Sequence, residues 1–213
     1  MKAKYVDATA LALNRRDILS TIGIGEGQED ELTSVLLAEV TKELLSVARP
    51  QYCYTIVDSI DFCCGEIIMK ALAKGDRFGV VVATAGSEVD DYLRFMKEND
   101  LVKAFIGDAV ASEIAEATSR EAIREIESLL AEEEKISNPY SPGYCGWALK
   151  EQKKLFALFP AQPCNVQLND SCLMLPIKSI SSVLAIGKEV VKAPYGCAIC
   201  TKSDCYKKIN KTH

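Results

Sequence analysis

Apolar residues recur three and four apart at Leu32, Val35, Leu36, Val40, Leu44 and Leu45. That spacing predicts an amphipathic helix over residues 29–48 that stops before Pro50. Ile60, Cys63, Cys64, Ile67, Ile68 and Leu72 predict a second, more buried helix over residues 59–73, closed by Gly75-Asp76. Phe78-Gly79-Val80-Val81-Val82-Ala83 is short, continuous and rich in β-branched side chains, the signature of a buried strand. A short helix follows over residues 88–97. Residues 102–134 read as a long helical stretch with room for one break, on a spine of Phe105, Ile106, Val110, Ile114, Ala117, Ile123, Ile126 and Leu130. Asn138-Pro139-Tyr140-Ser141-Pro142-Gly143-Tyr144 ends it. Beyond lie a short helix over 149–158 and strand-like pieces at 165–168 and 181–186. Helices and strands come in blocks, so the expectation is an α+β fold with an antiparallel sheet flanked by helices.

Composition adds bounds. With 213 residues, 48% apolar and 26% charged, the chain reads as a single globular domain with material for a real core. No apolar run approaches the roughly 20 residues of a membrane span, and Met1-Lys2-Ala3-Lys4 leads into no signal-peptide core. The expected location is therefore the cytoplasm, with no membrane partner. The sole histidine is His213, the last residue, which excludes triads and metal sites built on an internal imidazole. It also excludes a corrinoid carrier that ligates cobalt through histidine.

The net charge of −5 argues against nucleic-acid binding. Its distribution is uneven. From Lys188 onward six lysines face Glu189 and Asp204, a net +4, whereas the rest holds 19 basic against 28 acidic side chains. A basic end on an acidic body is either a solvated tail or a docking patch for an acidic partner.

Three segments carry candidate chemistry. Gly23-Ile24-Gly25-Glu26-Gly27 has the glycines of a nucleotide-binding turn, but follows the charged Asn14-Arg15-Arg16-Asp17 instead of a buried strand. It also leads into Glu29-Asp30-Glu31, which would repel a phosphate at the helix start, so it reads as an inter-helix loop. Nine cysteines without a secretion signal read as reduced thiols, metal ligands or redox groups. Cys197, Cys200 and Cys205 lie close enough in sequence to aim three thiolates at one zinc or iron–sulfur centre, with Cys145, Cys164 or Cys172 available as a fourth ligand. Cys53, Cys63 and Cys64 read as small buried hydrophobes. The third segment pairs the Pro142-Gly143 turn with Leu168 through Ser181, where exposed backbone groups can grip a small ligand.

This pairing resembles the reactivation domain of cobalamin-dependent methionine synthase, in its short stand-alone form. Pro142-Gly143-Tyr144 is followed by Glu151-Gln152 and Leu155-Phe156, then by Ser171, Met174, Pro176 and Lys178-Ser179-Ile180-Ser181. Upstream, Asp108-Ala109-Val110 and Glu116 match the family's helix start and its glutamate. The match is specific over residues 100–186. It divides the single domain 1–213 into an N-terminal part (1–100), a motif-bearing part (101–186) and a basic, cysteine-rich tail (187–213).

The resemblance implies a methionine synthase activation domain-like fold and a function in reductive reactivation. Such a domain binds S-adenosylmethionine, docks on a corrinoid (cobalamin-binding) methyltransferase and presents the methyl group while an electron-donor protein supplies one electron. It implies ligand contacts from Glu116, Glu133, Gly143, Tyr144 and Tyr195. A side chain at Gly143 is expected to intrude where backbone approaches the ligand. One departure stands out: the family's arginine four residues before the glycine is here Pro139. The alternative is a non-catalytic docking, metal or redox module without the S-adenosylmethionine site.

Overall fold

The computed structural model describes residues 2–25 and 27–192. Its elements run β1 (Lys4–Tyr5), α1 (Arg15–Thr21), α2 (Glu31–Val47), β2 (Gln51–Val57), α3 (Gly65–Leu72), β3 (Arg77–Thr84), α4 (Ser87–Asn99), α5 (Leu101–Ser128), β4 (Lys135–Ile136), α6 (Gln152–Ala157), β5 (Gln167–Leu168), β6 (Met174–Leu175) and β7 (Ser179–Gly187). One sheet is ordered β1-β2-β3-β7-β4, and its pairs are all antiparallel. β5 and β6 form a separate ribbon. This is the α+β arrangement expected.

Strand alternation assigns the two faces of the sheet. Val80, Val82, Val183 and Ala185 point into one core, with Ile68, Trp147 and Leu155. Val81, Ala83, Leu184 and Ile186 point into the other, against Ala122 and Ile126 of α5. The first half of α5 leaves the sheet and joins α1, α2 and α4 around Val40, Leu44, Val89, Val110 and Ile114. One helix of 28 residues, roughly 42 Å long, thus serves two cores.

Local chemistry explains the boundaries. Asp30 accepts from the Thr33 amide at 2.7 Å, so the acidic run that argues against a phosphate is the N-cap of α2. The glycine-rich segment connects α1 to α2. Asp100 caps α5 by accepting from the Val102 and Lys103 amides, both at 3.0 Å. Asp108-Ala109-Val110 therefore lies inside α5 and not at its start. The long helical stretch expected over 102–134 is unbroken within 101–128 and stops at Ser128, short of the expected end.

The helix expected over 59–73 begins only at Gly65, where φ is +79°. A side chain there would sit 3.5 Å from the Cys145 and Gly146 carbonyl oxygens. Residues 59–64 instead run as a loop, with Phe62 packed on Trp147 at 5.4 Å between ring centres. Cys63 is exposed, unlike the buried Cys53 and Cys64, so one of the three expected core cysteines is not in the core. Among the described residues, no helix is long and apolar enough to cross a membrane.

Candidate functional site

The outer edge of β7 is only partly covered. β4 pairs with it through Lys135–Gly187 and Ile136–Ile186. The chain then continues alongside: Ser137 donates its amide to the Ala185 carbonyl, and Tyr140 and Val183 exchange two bonds of 2.8 Å. Past Tyr140 the backbone turns away. Val183 and Ala185 face the outer edge, so the alternation of an antiparallel ladder sends the amide and carbonyl of Ser181 the same way. The turn leaves that edge open.

A cleft of about 560 Å³ occupies the gap and wraps both faces of β7. Glu116 and Ser119, one turn apart on α5, line one wall. Pro139, Ser141, Pro142 and Tyr144 line a second, and Asn169, Cys172, Leu173 and Met174 of the ribbon a third. Residues 179–182 of β7 form the floor. Ser181 and Ser182 are almost wholly buried, yet among the described residues neither hydroxyl has a hydrogen-bond partner. Buried hydroxyls are rarely left so, and both lie where a ligand would meet them.

The Pro-Gly-Tyr turn is held by its own backbone. Gly143 N–H donates to the Trp147 carbonyl at 2.7 Å, and Trp147 N–H donates to the Tyr144 carbonyl at 2.9 Å. Gly143 has φ +93°, a left-handed conformation that favours glycine. Protein atoms do not crowd the position: a Cβ would meet only Leu149 Cδ1, at 3.7 Å. Within the protein itself, the backbone conformation is what favours glycine.

The third wall is fixed in the same way. Asn169 Oδ1 accepts from the Leu173 amide at 2.9 Å, and Gln152 Nε2 donates to the Cys172 carbonyl at 3.0 Å. Lys178, the motif lysine, faces α5: its ammonium donates to Asp108 Oδ1, Asp108 O and Ser112 Oγ at 2.7, 3.1 and 3.0 Å. It clamps β7 to α5 and is not among the residues lining the cleft. Burial pushes the Tyr140 phenol above its ordinary range. Glu151 is held below the usual carboxylate range by the Cys63 amide and then by Lys154.

Glu116 and Tyr144 thus meet at one cleft, with Gly143 in the turn between the lining residues Pro142 and Tyr144. Glu133 lies elsewhere. It precedes β4 near Gly187, about 17 Å of strand from Ser182, and is exposed and paired with Lys188 at 2.5 Å. Among the described lining residues Glu116 is the only charged side chain, and Pro139 stands in the wall. Ser119 and Ser182 escaped sequence reading, although their offsets of three from Glu116 and one from Ser181 were available.

Tyr195, Cys197, Cys200 and Cys205 lie outside the described residues. Among the described ones, no group of three or more histidine, cysteine or acidic side chains is arranged to hold a metal ion. The expectation of a metal centre gains no support there.

A family model described as the activation domain of vitamin B12 dependent methionine synthase matches residues 38–207. A crystal structure of the MetH reactivation domain bound to AdoHcy superposes with a TM-score of 0.64 at 14% identity. The overlap covers 92% of this chain and 80% of that one, a likeness that establishes the fold. No curated protein matches the sequence.

Proposed function

Because this chain belongs to the activation-domain family of vitamin B12-dependent methionine synthase, we propose that its β7-edge cleft binds S-adenosylmethionine and offers the methyl group to a corrinoid held by a partner methyltransferase. The observation that carries this reading is the convergence at one cleft of Glu116, the Pro142-Gly143-Tyr144 turn and the unpartnered Ser181 and Ser182 hydroxyls. In such a reaction the partner's corrinoid, once reduced by an electron donor, would supply the acceptor for the methyl group, and the ligand would be left as a neutral thioether.

The chain's own groups would act by position and charge. Glu116, exposed on the cleft wall, faces the sulfonium as the one acidic group among the described lining residues, a favourable pairing that solvent screens. The Ser181 backbone and both serine hydroxyls supply hydrogen bonds to the amino-acid end. Tyr144, 56% exposed at the rim, offers a flat face to the ligand and to an incoming corrin. Gly143 keeps the turn in shape. Glu133 and Tyr195 remain proposed contacts through the family resemblance alone.

Titration calorimetry with S-adenosylmethionine tests the reading. Wild type should bind, and Glu116→Gln should bind roughly tenfold more weakly, the loss of about one charge-assisted interaction. Absence of heat at millimolar ligand in wild type would sink it.

One observation favours a second reading. Pro139 stands in the wall where the family has an arginine, so no described cation there meets a ligand carboxylate. A module that docks on a corrinoid protein without binding S-adenosylmethionine would need none. Pull-down of a cobalamin-binding methyltransferase by protein that gives no calorimetric signal would favour this alternative.

A further inference from the structure

Cys53 and Cys164 stand together on the sheet face opposite α5, apart from the lining of the β7-edge cleft. Cys53 is on β2 directly opposite Val82 of β3, so both side chains share one face. Cys164 packs over that pair from a 3-10 turn, its Sγ 3.5 Å from the Val82 carbonyl oxygen. Cys53 and Cys164 are thus neighbours on this face, members of one buried cluster. Cys164 has a single S–H, so that proton is directed either to the carbonyl or to the Cys53 sulfur. Both cysteines are buried and reduced, and nothing in the proposed chemistry uses them.

Two further features distinguish them from packing thiols. Both line a small half-open cavity of about 130 Å³ with Ala3, Phe159, Gln162 and Asn165. A water needs about 30 Å³, so a small peroxide enters where a peptide disulfide does not. Cys164 and Asn165 also hold left-handed backbone, with φ of +52° and +56°, a conformation that costs free energy in residues other than glycine. The Cys164 hydrogen bond pulls the Cys53 thiol below its ordinary range, which favours the thiolate.

We propose that Cys53 and Cys164 are a peroxide-reactive dithiol that closes to a disulfide. The Cys53 thiolate attacks one oxygen of hydrogen peroxide and breaks the O–O bond. Cys53 becomes a sulfenic acid, and the departing hydroxide takes the Cys164 proton to leave as water. The Cys164 thiolate then attacks the sulfenic sulfur, forming the S–S bond and expelling hydroxide, which takes back from solvent the proton that Cys53 lost on ionising and leaves as a second water. Two thiols lose two electrons, and the peroxide gains them. The bond joins the turn at 163–165 to β2, just before β5 leads into the wall of the cleft.

The test uses the full chain, reduced and then treated with hydrogen peroxide or, separately, with glutathione disulfide. Differential alkylation and peptide mapping follow every cysteine. A Cys53–Cys164 cross-link lighter by two hydrogens should form with peroxide at least about tenfold faster than with glutathione disulfide, because the attacking Cys53 lines only the small cavity, whereas Cys164 also borders a cleft of about 650 Å³. In Cys164→Ser, which keeps a donor beside Cys53 but cannot close the disulfide, Cys53 should persist as a sulfenic acid and be captured by dimedone. If that variant fails to fold, the wild-type map decides alone. Oxidation of Cys63 ahead of an intact Cys53–Cys164 pair, or equal rates with both oxidants, overturns the proposal.

Discussion

The Lys178 ammonium lies 2.7 Å from Asp108 Oδ1, joining the first residues of the β7 motif to the middle of α5. The lysine is almost buried whereas the aspartate is two-thirds exposed, so the pair is a partly desolvated clamp. Three acceptors surround one cation. Removing it loses all three of these bonds, while the Ser112 hydroxyl keeps its own bond to the Asp108 carbonyl at 2.9 Å.

Lys178→Met should therefore destabilise the protein by about 1–2 kcal/mol, a discounted value for a pair with one exposed partner. For a chain of this size the melting temperature should fall by roughly 2–8 °C. Thermal denaturation followed by circular dichroism measures it. Asp108→Asn, which keeps an acceptor, should cost less.

Glu125 predicts a pH dependence. Its carboxylate accepts from Tyr52 and Tyr54 at 2.6 and 2.8 Å and pairs with Lys4. The Lys4 hydrogen bond first, then those from the tyrosines, lower its pKa from 4.5 to about 2. The folded value lies below the unfolded one, so this stabilisation is complete above about pH 4.5. It is lost as pH falls from there towards about 2. Glu125→Gln should be less stable than wild type at pH 7, the gap should shrink below about pH 4.5, and the two should converge only below about pH 2. Urea unfolding across that range reads the difference. A gap unchanged by acid would refute the assignment.

At Gly143 strain and crowding make opposite forecasts. Since φ is +93° and the space is open, Gly143→Ala should cost about 1–2 kcal/mol through the backbone, and Gly143→Asn clearly less. Equal losses for the two variants would point to contact instead. Binding of S-adenosylmethionine should weaken in step with the distortion of the turn.

Pro139→Arg tests the missing cation. An arginine in that wall should tighten S-adenosylmethionine binding by up to about tenfold, provided the turn keeps its shape. Calorimetry beside a crystal structure of the variant separates a charge effect from a refolded turn. No gain from a correctly shaped turn would mean that the ligand carboxylate lies elsewhere.

Sequence pattern was most reliable where one residue type dominated a segment. Val80, Val81 and Val82 announce a strand buried on both faces, and the α2 stripe repeats cleanly before Pro50. β2 escaped because Gln51, Tyr52 and Tyr54 break up its apolar character, and its burial depends on α5 and Glu125. The late start of α3 rests on one positive φ that the helical spacing around Gly65 conceals. Glu116 and Glu133 look alike as glutamates before a turn. Only the register Lys135–Gly187 shows that the second lies at the far end of β7 from the cleft.

The uncovered stretch of β7 has one more consequence. An open strand edge is a template on which another chain's strand can add, and antiparallel sheets commonly mask it. Here Pro139 and Pro142 border the gap and Pro176 precedes the strand, three residues that have no amide to donate to a ladder. The short opening admits a small molecule while resisting strand-by-strand association. Replacing Pro142 by a β-branched residue would turn a binding edge into an adhesive one.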